Sequence, residues 1–234
     1  MLVIRRSGDR GHNNHGWLDS YHTFSFNTYY DPEHMNFRSL RVINEDWIAP
    51  SRGFGAHPHR DMEILTYVLE GSLAHKDSMG HQETLGPNEI QRMSAGAGVV
   101  HSEFNASETE PVHLLQIWIE PATKGTPSSY EQFKFESGEK AGKWRLLASP
   151  EGGTGIARLN QDARLSVTEL SGKESVSHRL GQDCHAWIQV IRGSVTVNGE
   201  TLTAGDAAAI SKEPELRVIN SDPGSSEVLL FDLA

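Results

Sequence analysis

The sequence contains a single cysteine, Cys184, among 234 residues. One thiol can neither close an intramolecular disulfide nor furnish a thiolate metal cluster, so any metal chemistry has to come from histidines and carboxylates. No apolar run approaches the roughly 20 residues that cross a bilayer, and Met1-Leu2-Val3-Ile4 before Arg5-Arg6 is far shorter than a secretory h-region. These absences predict a soluble, cytoplasmic protein with no membrane partner. A long basic block is missing too: Lys and Arg total 21 against 31 Asp and Glu, for a formal charge of -10. Nucleic acid is therefore not an expected partner.

What the chain does contain is short apolar segments separated by turn signals, the pattern of a sandwich or barrel. Strands are predicted over residues 39–44, 64–69, 112–119, 187–191, 216–219 and 228–231, most of them rich in Val, Ile, Leu and aromatics. The run from Ser194 to Leu202 alternates on either side of Asn198-Gly199, whose easy access to positive φ predicts a tight hairpin. An all-β chain of this length holds one large or two modest domains. The Gly, Thr, Pro and Ser of residues 124–129 read as a connection, which places a boundary near residue 125. The expected division is 1–125 and 126–234.

Chemistry concentrates in His57-Pro58-His59 and His101-Ser102-Glu103. Alternate side chains of a strand share a face, so His57 and His59 project together, as do His101 and Glu103. Two neighbouring antiparallel strands could close these four donors around one ion. Imidazoles with one carboxylate suit a divalent transition metal, and open positions beside such ligands are where oxygen-activating iron chemistry occurs.

An internal comparison suggests two related halves. Val68-Leu69-Glu70-Gly71-Ser72 resembles Val190-Ile191-Arg192-Gly193-Ser194, and further glycines follow at 80 and 86 in one half and 199 and 205 in the other. The offset is 122 at Gly71 and 119 at Gly80 and Gly86. Carried forward by these offsets, His57 and His59 land on Arg179 and Gly181, and His101 and Glu103 on Asn220 and Asp222. His178 lies one residue from the first of these positions and has no His-x-His partner. One metal site is therefore predicted, in the first half.

The segment from Gly55 through His57, His59 and Glu63 to Gly71 resembles the first cupin motif, and Gly86 through Gly96 to His101 and Asn105 resembles the second. Gly11-His12-Asn13-Asn14-His15-Gly16-Trp17-Leu18-Asp19-Ser20, His22-Thr23-Phe24-Ser25-Phe26 and Tyr30-Asp31-Pro32 are similar to the N-terminal segment of pirins. These motifs cover the first half, while the second half is similar mainly in its cupin-like repeat. The resemblance is to bacterial pirin-like proteins with quercetin 2,3-dioxygenase activity. It implies a bicupin of two β-barrels (jelly-roll, double-stranded β-helix) with few short helices, the N-terminal one binding metal and the C-terminal one lacking ligands. It also implies His57, His59, His101 and Glu103 as metal ligands. Cupins commonly draw the carboxylate from the first motif, here Glu63, whereas the pirin pattern points to Glu103 and leaves Glu63 in reserve.

The implied reaction is cleavage of the central ring of a flavonol by O2 with release of carbon monoxide. Glu103 would act as catalytic base as well as ligand, accepting the proton of an acidic hydroxyl. The expected cofactor is one divalent ion, Fe(II) first, with Ni, Cu, Mn, Co or Zn able to occupy the same donors. A monomer is expected. The same resemblance also allows a regulatory or redox-sensing protein whose metal state controls a protein partner.

The remaining histidines read differently. His12, His15 and His22 are expected to satisfy loop carbonyls or pack on Trp17. His34, His75, His81 and His113 have no motif partner and are expected at solvated or strand-face positions. Gly96 and Gly98 precede an extended segment without basic residues or a helix signal, so they are turn glycines rather than a phosphate loop. Cys184 is expected to be an ordinary thiol.

Overall fold

The computed structural model describes residues 1–181 and 183–234. Two single-turn 3-10 helices, Ser7–Asp9 and Ser137–Glu139, are the only helices among the described residues. The strands along the chain are β1 Leu2–Arg5, β2 Gly11–Asn14, β3 Leu18–His22, β4 Leu40–Ile48, β5 Gly53–His59, β6 Glu63–Glu70, β7 Leu73–Asp77, β8 Gln82–Leu85, β9 Glu89–Ser94, β10 Val99–Asn105, β11 Val112–Ile119 and β12 Ser129–Lys134. They continue as β13 Arg145–Ser149, β14 Ala157–Arg158, β15 Ala163–Ser171, β16 Ser175–Arg179, β17 His185–Arg192, β18 Ser194–Val197, β19 Glu200–Thr203, β20 Ala207–Ser211, β21 Glu215–Asn220 and β22 Ser225–Leu233. The segments expected to be extended lie in these strands, except that Ser39 falls in the turn before β4. The predicted hairpin pairs Val197 with Glu200, with Asn198 at φ 46° and Gly199 at φ 97°, the conformation that Asn-Gly adopts without strain.

Two compact units interleave in sequence. One comprises residues 11–135 and 151–161, the other residues 1–10, 136–150 and 162–234. A single cut near residue 125 does not describe this arrangement. Residues Leu2–Arg5 form an edge strand against Ala207–Ile210, so the amino terminus folds with the carboxy-terminal half.

In the first unit a sheet in the order β12-β9-β6-β11-β4-β3-β2 accompanies a four-stranded sheet, β5-β10-β7-β8. Leu18, Ile48, Val68 and Leu114 from the larger sheet pack with Leu73 and Leu85 from the smaller, so the core lies between the two. In the second unit β1-β20-β17-β22-β15-β13 accompanies β16-β21-β18-β19. Its aliphatic cluster leaves Ile188, Val190, Val195, Leu216, Val218 and Leu230 almost wholly removed from water.

The units share one topology, which allows their residues to be matched by register. Gly71 and Gly193 hold the same corner, at φ 77° and 71°; a Cβ at Gly71 would lie 2.7 Å from the Pro111 carbonyl oxygen, and one at Gly193 2.6 Å from that of Ser225. Neither position accommodates another residue. Across the small sheets, Leu73 pairs with Asn105 and Val195 with Asn220, so Asn105 and Asn220 are equivalent. It follows that Leu216 and Val218 occupy the places of His101 and Glu103. His57 faces His101, and His178 faces Leu216, which makes His178 the counterpart of His57.

This corrects the offset-based matching to Arg179, Asn220 and Asp222. Connections differ in length between the units, so the offset is 121 from His57 to His178, 122 from Gly71 to Gly193 and 115 from Asn105 to Asn220, and no constant value holds. It retains one histidine of the three, His178, which is held 2.8 Å from Asp232. The other positions are filled by Leu180, Leu216 and Val218, all part of the apolar core.

Candidate metal centre

Strands β5 and β10 carry the four predicted donors. Along β10, Val99, His101, Glu103 and Asn105 point inward while Val100, Ser102 and Phe104 are more exposed, the period of two expected of a half-buried strand. His57 is paired directly with His101, but Glu103 is paired with Phe54, so β5 carries one extra residue between these two pairs. Such a bulge re-aims the side chains around it. Close approach of the strands depends on Gly53, where a Cβ would lie 2.1 Å from the Glu103 carbonyl oxygen.

His57, His59 and His101 converge. Their ring centroids lie 4.4 to 4.8 Å apart, and one nitrogen from each falls within 4.8 Å of the others. Glu103 belongs to a second, overlapping group with His101 and His75, again with donor atoms within 4.8 Å of one another. Both oxygens of Glu103 accept from Gln116 Nε2, at 3.2 and 2.9 Å, and Thr66 Oγ1 donates to Gln116 Oε1 at 3.1 Å. Glu63 stands apart. It lies in β6, accepts from Ser94 Oγ at 2.6 Å and joins neither donor group. Burial raises its pKa.

The donors fit a cation. His57 Nδ1 is anchored by the Gly55 carbonyl at 2.7 Å, which leaves Nε2 as the lone-pair nitrogen. Both nitrogens of buried His101 lack a hydrogen-bond partner among the described residues. Burial, reinforced by the neighbouring rings, lowers the pKa of His59 to about 4 and of His101 to about 3. Both rings are therefore neutral at pH 7 with a lone pair to offer. Three imidazoles and a buried carboxylate with no Lys or Arg partner among the described residues make a donor set for a divalent ion.

The centre opens into a cavity of about 610 Å³, lined in part by His57, His59 and Glu103. Phe26, Phe54 and Trp118 supply flat apolar walls, and Asn13, Ser20, Asn44 and Asp46 supply polar groups. Asp46 is buried, accepts a very short hydrogen bond from Ser20 Oγ, and has its pKa raised by burial to about 7. Two further carboxylates, Glu103 and Glu45, oppose its ionisation.

Several histidines lie elsewhere than expected. His22 is buried in this cavity, accepting from Asn13 Nδ2 at 3.0 Å and donating through Nδ1 to Asn44 Oδ1 at 2.9 Å. His15 also lines it, while His12 pairs with Asp19 at 2.6 Å and stacks on Tyr21. His75 is not a solvated residue: its side chain is 0% exposed and lies 3.3 Å from Asp77, which also binds the His81 ring. His113 pairs with Glu45 and stacks on Trp47.

Ser20, Asp46, Gln116 and His75 were all missed by motif reading. Two carried a signal. Gln116 interrupts the apolar run Val112–Ile119, and His75-x-Asp77 alternates in a strand, so both side chains take one face.

Two matched double-sheet barrels, one carrying a histidine–carboxylate cluster and the other filled with aliphatic residues, define a bicupin. The Pirin family model matches residues 3–119, and the model of the quercetinase C-terminal cupin domain matches residues 146–233. The chain belongs to the pirin family. It is 49% identical to the quercetin 2,3-dioxygenase of Escherichia coli strain K12, over 100% of this chain and 99% of that one. It is 44% identical to a putative quercetin 2,3-dioxygenase of Pasteurella multocida, over 100% of both. Among solved structures, the nickel(II) complex of the bacterial pirin YhhW from Escherichia coli superposes with a TM-score of 0.94, at 47% identity, covering 100% of this chain and 99% of that chain.

Proposed function

We propose that the protein is a metal-dependent dioxygenase that opens the central ring of a flavonol such as quercetin with O2 and releases carbon monoxide. The observation that carries this reading is the position of the three-histidine cluster at the wall of a flat-sided cavity about 610 Å³ in volume. That volume lies in the range that encloses a small organic ligand. Full-length similarity to a quercetin 2,3-dioxygenase supports it.

His57, His59, His101 and Glu103 are the proposed ligands, and the proposed native ion is Fe(II), with Ni, Cu, Mn, Co and Zn as competitors for the same donors. The first barrel alone holds it, since the matching positions of the second barrel are mostly apolar. When bound, the ion polarises an oxygen of the substrate and lowers the pKa of the adjacent hydroxyl.

The protein's own groups do the rest. Phe54 and Trp118 exclude water and confine a planar ring system. Glu103 accepts the hydroxyl proton at one carboxylate oxygen; Gln116 steadies that carboxylate and keeps it facing the cluster. Asp46, whose pKa burial raises to about 7, donates a hydrogen bond to a polar edge of the substrate in its protonated form.

The test is reconstitution of the apoprotein with single metals, followed by flavonol consumption with and without O2. Oxygen-dependent loss of flavonol with carbon monoxide as a product is expected. Metal binding without an oxygen-dependent product for any ion would instead favour a regulatory binding protein.

A further inference from the structure

Behind the proposed centre lies a histidine that no motif reading assigned. His75 sits on β7, directly across from Glu103 on β10, with its side chain fully buried. Its Nε2 lies 3.3 Å from Asp77 Oδ2. The same carboxylate receives the backbone N–H of Met79 at 2.8 Å, that of His81 at 3.1 Å and the His81 ring at 2.9 Å, so it is held as an anion. An anion facing Nε2 keeps the proton on that nitrogen. Nδ1 is then the lone-pair nitrogen, and it is buried without a partner among the described residues.

An imidazole whose N–H is tied to a carboxylate, with its other nitrogen free, is the arrangement typical of a metal-ligating histidine. A buried acceptor left empty is destabilising, so an occupant is called for. One nitrogen of His75, one of His101 and one carboxylate oxygen of Glu103 lie within 4.8 Å of one another, and both His101 nitrogens are also without a hydrogen-bond partner among the described residues. Stacking of His75 on Tyr130, at a centroid distance of 5.0 Å, fixes the ring plane.

We infer that the protein offers a divalent ion two adjoining seats that share His101 and Glu103: an outer one made by His57, His59, His101 and Glu103, and an inner one made by His75, His101 and Glu103. The inference rests on the metal-binding reading above but not on any oxygenase activity. The seats serve one ion at a time, because both draw on His101 and their donors occupy overlapping space. In the outer seat the ion borders the cavity. The inner seat is built from three buried residues.

The test is titration of the full-length apoprotein with Ni(II) and with Co(II), read by calorimetry and metal analysis. Two seats predict that His59→Ala still binds one ion, weakened roughly 10- to 100-fold. His75→Ala should change the wild-type affinity by less than about threefold, yet should remove most of the residual binding from His59→Ala, because there the inner seat carries it. Equal effects of His75→Ala in both backgrounds would mean that His75 acts only by packing or by orienting His101, and would overturn the inference. So would complete loss of the ion from His59→Ala alone.

A second measurement leaves His75 intact. In His59→Ala with histidine nitrogens labelled by 15N and loaded with 113Cd, coupling to His75 Nδ1 is expected; coupling confined to His57 and His101 contradicts the inner seat. A wild-type protein that bound none of these ions would instead sink the metal reading itself.

Discussion

His57 and His101 face each other across the β5–β10 ladder with ring centroids 4.4 Å apart, whereas their counterparts in the second barrel, His178 and Leu216, pair a histidine with a core leucine. The cluster of donor side chains is thus present in one barrel and replaced by packing in the other. His101 is common to both candidate donor groups found among the described residues. Replacing it by Ala should abolish metal retention, read by metal analysis after dialysis, while His178→Ala should leave metal content at the wild-type level.

Glu103 unites two proposed roles that substitution can separate. Glu103→Gln keeps an oxygen donor but removes the basic carboxylate, so the variant should retain part of its metal and lose at least about 100-fold in turnover. Turnover of metal-replete Glu103→Gln equal to the wild type would eliminate the base assignment. Gln116→Leu, which takes away the amide donor to both Glu103 oxygens, should weaken metal binding less than Glu103→Gln weakens turnover.

Asp46 should leave a pH signature in stability. Its folded pKa is raised from 3.8 to about 7, chiefly by burial. Between those values the folded state holds a proton that the unfolded state has released, so the stability this group contributes is full below 3.8 and is lost as pH rises towards 7. Asp46→Asn stays neutral throughout. The melting temperature of this variant relative to wild type should therefore climb by several degrees between pH 4 and pH 8, at roughly 2–4 °C per kcal/mol for a chain of this size. A flat difference would show that Asp46 ionises freely in the fold.

The ligand histidines predict the opposite slope for the apoprotein. His59 and His101 titrate at about 4 and about 3 when folded, against an ordinary value of 6.5. Below 6.5 the unfolded chain takes up protons that the folded chain refuses, so apoprotein stability should fall as pH drops from 6.5 towards 4. Bound Ni(II) or Zn(II) adds its binding energy only to the folded state, raising the melting temperature at pH 7, and that gain should shrink as acid competes for the imidazoles. Thermal melts of apo and loaded protein across this range provide the check.

Packing of the second barrel can be probed directly. Leu216 occupies the place of His101 and is fully buried among aliphatic neighbours. Leu216→Ala should cost about 2–5 kcal/mol in a denaturant melt, without altering the metal content of the folded protein. Loss of metal from a still-folded variant would link the second barrel to the site.

Much of this architecture is legible along the chain because it is local. Runs such as Ile64–Leu69 and Val112–Ile119 are extended wherever they lie, Asn198-Gly199 turns because both residues tolerate positive φ, and His57/His59 and His101/Glu103 share faces because a strand repeats every two residues. The sequence by itself therefore determined the all-β fold and the clustering of candidate donors on β5 and β10. Only tertiary structure decided which strands lie beside which. Strand pairing brought His75 across from Glu103, placed Asp46 against Ser20, and matched His178 rather than Arg179 to His57. These relations join residues far apart in the chain, and loop lengths that no local pattern encodes set the register in which they meet.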